Sequence, residues 1–169
     1  MNNQSSEAPS MIADQKMIQD SPIGGELSPE QCEKLAEVVA ALCLKEGDYL
    51  LEEAHQDETL YVIVDGQLEV VKCTALDDCV TLQLLRQGDM AGELGFIDGQ
   101  PHSAGLRALG NCTVFSLQRS ALEAFLSTDP DLVYKVMRAI IRTVHVILRN
   151  MNLQHVEMMN YIGKRHGRY

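Results

Sequence analysis

The sequence predicts an α+β chain that is mainly β: a double-stranded β-helix, or jelly-roll barrel, with a short N-terminal helix and a long C-terminal dimerisation helix. Three observations carry this. Between residues 43 and 118, short apolar runs recur at roughly ten-residue spacing with glycine turns between them, as in antiparallel barrels and jelly rolls. Residues 28–42 have helical spacing behind a capping signal. After Asp129, apolar residues repeat in alternating steps of four and three, which is a heptad seam.

Residues 1–27 are polar, contain Pro9, Pro22 and the Gly24-Gly25 pair, and are read as a flexible N-terminal arm. The globular domain then spans 28–128. Its helix opens with Ser28 as N-cap and Pro29 at the first helical position, and Leu35, Val38, Val39 and Leu42 form its apolar stripe. In "TLYVIVDGQLEVVK" two β-branched runs flank Asp65-Gly66, the strongest local hairpin signal of the chain. Further strands are expected at 80–85 and 112–117, with turns at "EGDY", "QGDM" and "DGQP". "SALEAFLSTDP" reads as a short helix. A long helix over 129–162 follows, and a basic tail, 163–169, ends the chain.

The seam of that helix runs through Val133, Met137, Ile140, Val144, Ile147, Met151, Gln154, Met158 and Tyr161. A stripe this long needs a partner surface, so Met137, Ile140, Val144, Ile147 and Met151 are expected to form a homodimer seam. Spacing alone leaves its orientation open.

Composition narrows the function classes. The hydrophobic share of 46% suffices for a core, and no apolar stretch reaches the roughly 18 residues of a membrane span. No secretory signal opens the chain, so a cytoplasmic location without membrane insertion is expected. Net charge is −10, split into −15 over residues 1–129 and +5 over 130–169. An acidic body is poorly suited to neutralising DNA phosphates. The five cysteines, Cys32, Cys43, Cys73, Cys79 and Cys112, are odd in number and lack a C-x-x-C pair. They are read as reduced, apolar side chains.

The stretch 88–108, "GDMAGELGFIDGQPHSAGLRA", sets a glutamate between glycines shortly before a Pro-His-Ser-Ala turn. With "LKEGDYLLEEAHQDETLYVIVDGQLEVVK" upstream and the helices downstream, the chain over about 28–160 resembles the cyclic-nucleotide-binding domain family. The resemblance implies a phosphate-binding cassette at 88–101, in which Gly92, Glu93, Leu94 and Gly95 match the family's glycine-glutamate-leucine element. Glu93 would accept the ribose 2′-hydroxyl. Backbone N–H groups near Gly92–Gly95 and of Ser103 and Ala104 would hold the cyclic phosphate of cAMP or cGMP.

In one position the sequence departs from the family. Where the pattern has an arginine after proline, this chain has His102 after Pro101. An imidazole cannot fork across two phosphate oxygens, and replacing a buried bidentate cation costs on the order of 2–5 kcal/mol. Arg107, five residues on along a strand, would face away from His102. The resemblance thus implies a non-catalytic regulatory module that acts as a dimer, with cyclic-nucleotide binding weakened by His102. The alternative is an adaptor with a degenerate pocket whose work is done through a protein partner.

No cofactor is expected, and no enzyme. Jelly rolls host metal enzymes, but the β region offers only His55 and His102, without an H-x-H pair, so no metal site is expected. G-x-S-x-G, P-loop and Rossmann signatures are absent from the sequence. The family's transcription factors continue into a helix-turn-helix module; with Tyr169 ending this chain, sequence-specific DNA binding is not expected.

Overall fold

Glycines at positive φ punctuate the elements: Gly47 and Gly88 sit at turns between strands, Gly66 at a corner, and Gly99 at the end of a short helix. The computed structural model describes residues 10–74 and 78–166. In chain order these form β1 (Ser10–Ile12), α1 (Gln15–Gln19), α2 (Pro29–Ala36), β2 (Ala40–Leu44), β3 (Tyr49–Leu51), β4 (Thr59–Asp65) and β5 (Gln67–Cys73). Then follow β6 (Cys79–Arg86), β7 (Met90–Ala91), α3 (Glu93–Asp98), β8 (Gly105–Ala108), β9 (Cys112–Gln118), α4 (Arg119–Glu123) and α5 (Pro130–His166).

The strands build two antiparallel sheets, ordered β1-β2-β9-β4-β7 and β3-β8-β5-β6, which remain separate rather than joining into one hydrogen-bonded barrel. This is the jelly roll with a long C-terminal helix that the patterning predicts. Between the sheets, Leu44, Leu51, Ile63, Leu68, Leu106 and Val114 form one core. On the outer face of the five-stranded sheet, Leu60, Val62, Phe115 and Leu117 meet Ile18, Leu35, Leu132, Val136 and Ile140 from the helices in a second. Being covered on both faces, β4 is buried at five consecutive positions, Thr59 to Ile63.

Four expectations change. First, Asp65-Gly66 is no hairpin. β4 pairs with β9 and β7 in one sheet, while β5 pairs with β6 and β8 in the other, so the dipeptide is a corner between sheets. Gly66 holds φ +85°, and a Cβ there would lie 2.4 Å from the Asn111 carbonyl oxygen. The true hairpin is β5–β6. Second, Cys73 and Cys79, opposite each other at the turn end of that hairpin, form a disulfide with Cα atoms 4.0 Å apart. An odd cysteine count excludes complete pairing, not a single bridge across a register pair. Cys32, Cys43 and Cys112 take no part in a disulfide.

Third, residues 10–27 are not a flexible arm. β1 pairs with β2, and Ile18 and Ile23 are fully buried. Gly24 lets the chain pass Ile18, whose carbonyl oxygen lies 2.0 Å from where a Cβ would stand. Composition reads Pro and Gly as looseness; here they permit close packing. Residues 1–9 of the expected arm, and 167–169 of the tail, lie outside the described residues. Fourth, α2 ends at Ala36 rather than at 42, because Leu42 belongs to β2, paired with Val114. Its start is as expected: Ser28 and Gln31 close a reciprocal capping box, with Pro29 following.

Asp129 caps α5 through the Leu132 N–H and also accepts from Lys34 and Gln31, tying the helix start to α2. Glu26 pairs with both Arg138 and Arg142, fixing the first third of α5 to the N-terminal segment. Beyond Val144, which packs on the core, the helix has few neighbours and its side chains from Leu148 to Tyr161 are exposed.

Candidate functional site

The cassette is assembled by close approach. Gly92, at φ +76°, precedes α3, and a Cβ there would lie 2.5 Å from the Thr59 carbonyl oxygen. One turn later Gly95 abuts β4's entry: its Cβ would stand 2.7 Å from the Asp57 carbonyl oxygen and 2.9 Å from His102 Cε1. The loop they press against is held by Asp57, which accepts from Thr59 Oγ1 at 2.6 Å and from the Tyr61 hydroxyl at 2.7 Å. Burial, then the Asp57 carboxylate, pushes the Tyr61 phenol well above its ordinary range.

These contacts place α3 at the end of a cavity of about 300 Å³ between the two sheets. Gly92, Glu93, Leu94 and Gly95 line it on one side, and His102, Ser103 and Ala104 on another, so the structure brings together all seven expected ligand-binding residues. The opposite wall is Val70 of β5 with Gln83 and Leu85 of β6. Leu51, Met90 and Leu106 close the bottom, and Ile147 of α5 reaches over the mouth.

Glu93 is the half-buried acid of this cavity. Desolvation raises its carboxyl pKa above the ordinary value, and its own backbone N–H and the nearby His102 offset only part of that. The His102 backbone is pinned, its N–H donating to the His55 carbonyl at 3.0 Å and its carbonyl accepting from Ala54 N–H at 2.8 Å. Ala54 itself holds a left-handed φ of 64°. The imidazole is turned toward Gly95, and its Nε2 is buried without a hydrogen-bond partner among the described residues. Leu94 borders the cavity but is 59% exposed.

Arg107 faces away from the cavity. Its Nε donates to Glu69 Oε1 at 2.7 Å, and its guanidinium lies over the Tyr49 ring. Thr81 first, then Arg107, holds the buried Glu69 carboxyl below its ordinary value. None of the residues lining the cavity is Lys or Arg, whereas Glu93 and Asp98 both are acids. The nearby cation that sequence reading missed is Lys72, whose Nζ donates to the Ser103 carbonyl at 2.6 Å and pairs with Glu53 at 2.6 Å. Its signal was its place two residues after Val70 on one face of β5.

The seam residues divide. Ile140 is fully buried in the domain's own core, and Met137 and Val144 pack against that core. Ile147 belongs to the cavity mouth. Only Met151 of the five stands free, 59% exposed. The free stripe lies one residue further on: Tyr134, Ile141 and Leu148, seven apart, are all exposed, with Met151 and Met158 between the later turns. The column Met137, Val144, Met151, Met158 is common to both stripes, so spacing could not tell which flank meets the domain.

Among the described residues, no group of three or more His, Cys, Asp or Glu side chains is placed to hold a metal ion. No described helix is long and apolar enough to cross a membrane. The jelly-roll sheets thus enclose a cavity that carries a half-buried carboxylate and takes Ile147 of the long helix into its lining. Residues 42–129, more than half of the chain, match the cyclic nucleotide-binding domain family, and the chain belongs to it.

The cAMP-activated global transcriptional regulator CRP of Salmonella typhimurium is 32% identical over 98 residues, 57% of this chain and 47% of that one. The chain spans less than half the length of that relative. A cyclic nucleotide-binding domain from Methylobacillus flagellatus has the same fold, with TM-score 0.82 at 21% identity over 94% of this chain and 93% of that one. The regulatory subunit of a cAMP-independent protein kinase A from Trypanosoma brucei superposes with TM-score 0.64 at 22% identity, covering 77% and 45%. A triple mutant of that subunit, one change being threonine to arginine, is bound to cAMP in its A site.

Proposed function

We propose that this chain is a non-catalytic sensor domain that takes a cyclic nucleotide weakly in the cavity and reports occupancy through α5. The observation that carries the reading is the half-buried, desolvated Glu93 carboxylate lining one cavity with Ser103, Ala104 and Ile147. Glu93 accepts the ribose hydroxyl, the N–H groups of the 103–104 turn receive the phosphate, and His102 occupies the position of the family's arginine. Because Ile147 lines the mouth, ligand and helix compete for or share that space. A ligand that favours one helix position shifts the equilibrium between positions.

The domain acts as a homodimer through the exposed stripe of α5. Tyr134, Ile141, Leu148, Met151 and Met158 supply core positions of a two-helix seam, and a second copy of the same helix offers the matching stripe.

Calorimetric titration with cAMP and cGMP tests the reading. The expected result is a weak site, with Kd on the order of 10 μM to 1 mM, lost in Glu93→Ala. His102→Arg should tighten it by roughly thirtyfold or more, since it restores a bidentate cation. The trypanosomal mutant that gains an arginine motivates that variant. Absence of binding by the wild-type protein at about 10 mM nucleotide overturns the sensor reading. The orphaned Nε2 of His102 and the acidic cavity would then favour the second reading, an adaptor that works through protein contacts.

A further inference from the structure

From the β5–cassette contact we infer that Lys72 is the phosphate-binding cation of this domain, held in reserve by Glu53 until an anionic ligand replaces that carboxylate. The inference rests on the sensor reading above and names the charge that the reading lacks. Leu68, Val70 and Lys72 share one face of β5, because the register shift opposite Val70 skips Leu82 of β6 and leaves the alternation of β5 intact. Val70 lines the cavity. Lys72 is therefore the next residue along the cavity wall, at its rim.

Its ammonium is already at the cassette. Nζ lies 2.6 Å from the carbonyl oxygen of Ser103, the residue whose neighbour Ala104 also lines the cavity. The second partner, Glu53, is a carboxylate 2.6 Å away, an anion standing where a phosphate oxygen could stand. The Lys72 side chain is half exposed, so its ammonium exchanges one anionic partner for another without first leaving a buried site. An ammonium on a four-carbon stem serves such an exchange better than a fixed fork.

The competing candidates are occupied elsewhere. Arg107 is engaged by Glu69 on the opposite face. His102 packs its ring against Gly95, where it fills the wall instead of projecting from it. With Glu93 and Asp98 in the lining, an anion entering the cavity meets two acids and needs a cation from the rim.

The test compares each cyclic nucleotide with its parent nucleoside, which lacks the phosphate, on the full chain. Wild type, Lys72→Met, Lys72→Arg and Glu53→Gln are titrated with cAMP, cGMP, adenosine and guanosine, and their melting temperatures confirm folding. Expected are a roughly ten- to hundredfold loss of cyclic-nucleotide affinity in Lys72→Met, near-wild-type affinity in Lys72→Arg, and a several-fold gain in Glu53→Gln. Nucleoside affinity should stay unchanged in all three. If wild type binds a cyclic nucleotide and Lys72→Met binds it equally well, the inference is overturned while the sensor reading stands. Equal losses for nucleotide and nucleoside also overturn it, since they would show a packing effect. Absence of cyclic-nucleotide binding by wild type overturns both.

Discussion

Burial of Glu93 raises its carboxyl pKa above the value it has in the unfolded chain, and the sign of that shift sets a testable cost. Above that raised pKa the folded state holds a charge that its surroundings disfavour. The penalty is complete above the raised folded pKa and vanishes below the ordinary value, about 4.3. Glu93→Gln should therefore be more stable than wild type in urea denaturation at pH 7, with the gain shrinking to nothing as pH falls through that window. A variant equal to wild type at pH 7 would show that the carboxylate is already well solvated. Glu93 and His102 were legible in the sequence because a glycine-flanked glutamate and a proline-led turn are local patterns. Lys72 was not, because its role depends on the Ser103 carbonyl 31 residues away, a contact that only strand pairing creates.

At the level of elements, spacing located the longer strands, β4, β5, β6 and β9, and misjudged how some connect. Asp65-Gly66 has the composition of a tight hairpin, yet the strands it joins turn into different sheets, a choice made by β9 pairing with β4 and β8 with β5. Local turn chemistry cannot report that competition. Likewise the heptad count of α5 found a genuine stripe, and only the docked helix reveals that 133, 140 and 147 face inward while 134, 141 and 148 face out. The prediction follows from this assignment. Leu148→Glu should convert dimer to monomer in sedimentation analysis at micromolar concentration without lowering the melting temperature of the jelly roll. Ile140→Ala, in contrast, should destabilise the domain by roughly 2–5 kcal/mol. An unchanged sedimentation coefficient for Leu148→Glu would remove the exposed stripe as the dimer surface.

For the whole molecule, the jelly roll was readable because alternation and glycine turns are repeated many times, so that single errors average out. The N-terminal segment was misread because only two large side chains, Ile18 and Ile23, reveal its burial amid polar residues. Its place in the core yields a prediction opposite to that for an arm. Ile18→Ala should cost about 2–5 kcal/mol of stability, and removal of residues 1–27 should leave a chain without a cooperative unfolding transition. A truncated chain melting as sharply as the intact one would mean that the second core closes without this segment.

The 37-residue α5 is about 55 Å long, and the contacts that hold it end near Val144. From there to His166 some 22 residues extend roughly 33 Å. The helix is thus a beam clamped at one end, and the cavity mouth lies beside the clamp, at Ile147. Tilting the beam by about 10° at that point, a shift of only about 1 Å near Ile147, carries its far end through roughly 6 Å, by the rise per residue alone. Mechanical advantage of this kind turns a small difference in what fills the cavity into a large one at the tip.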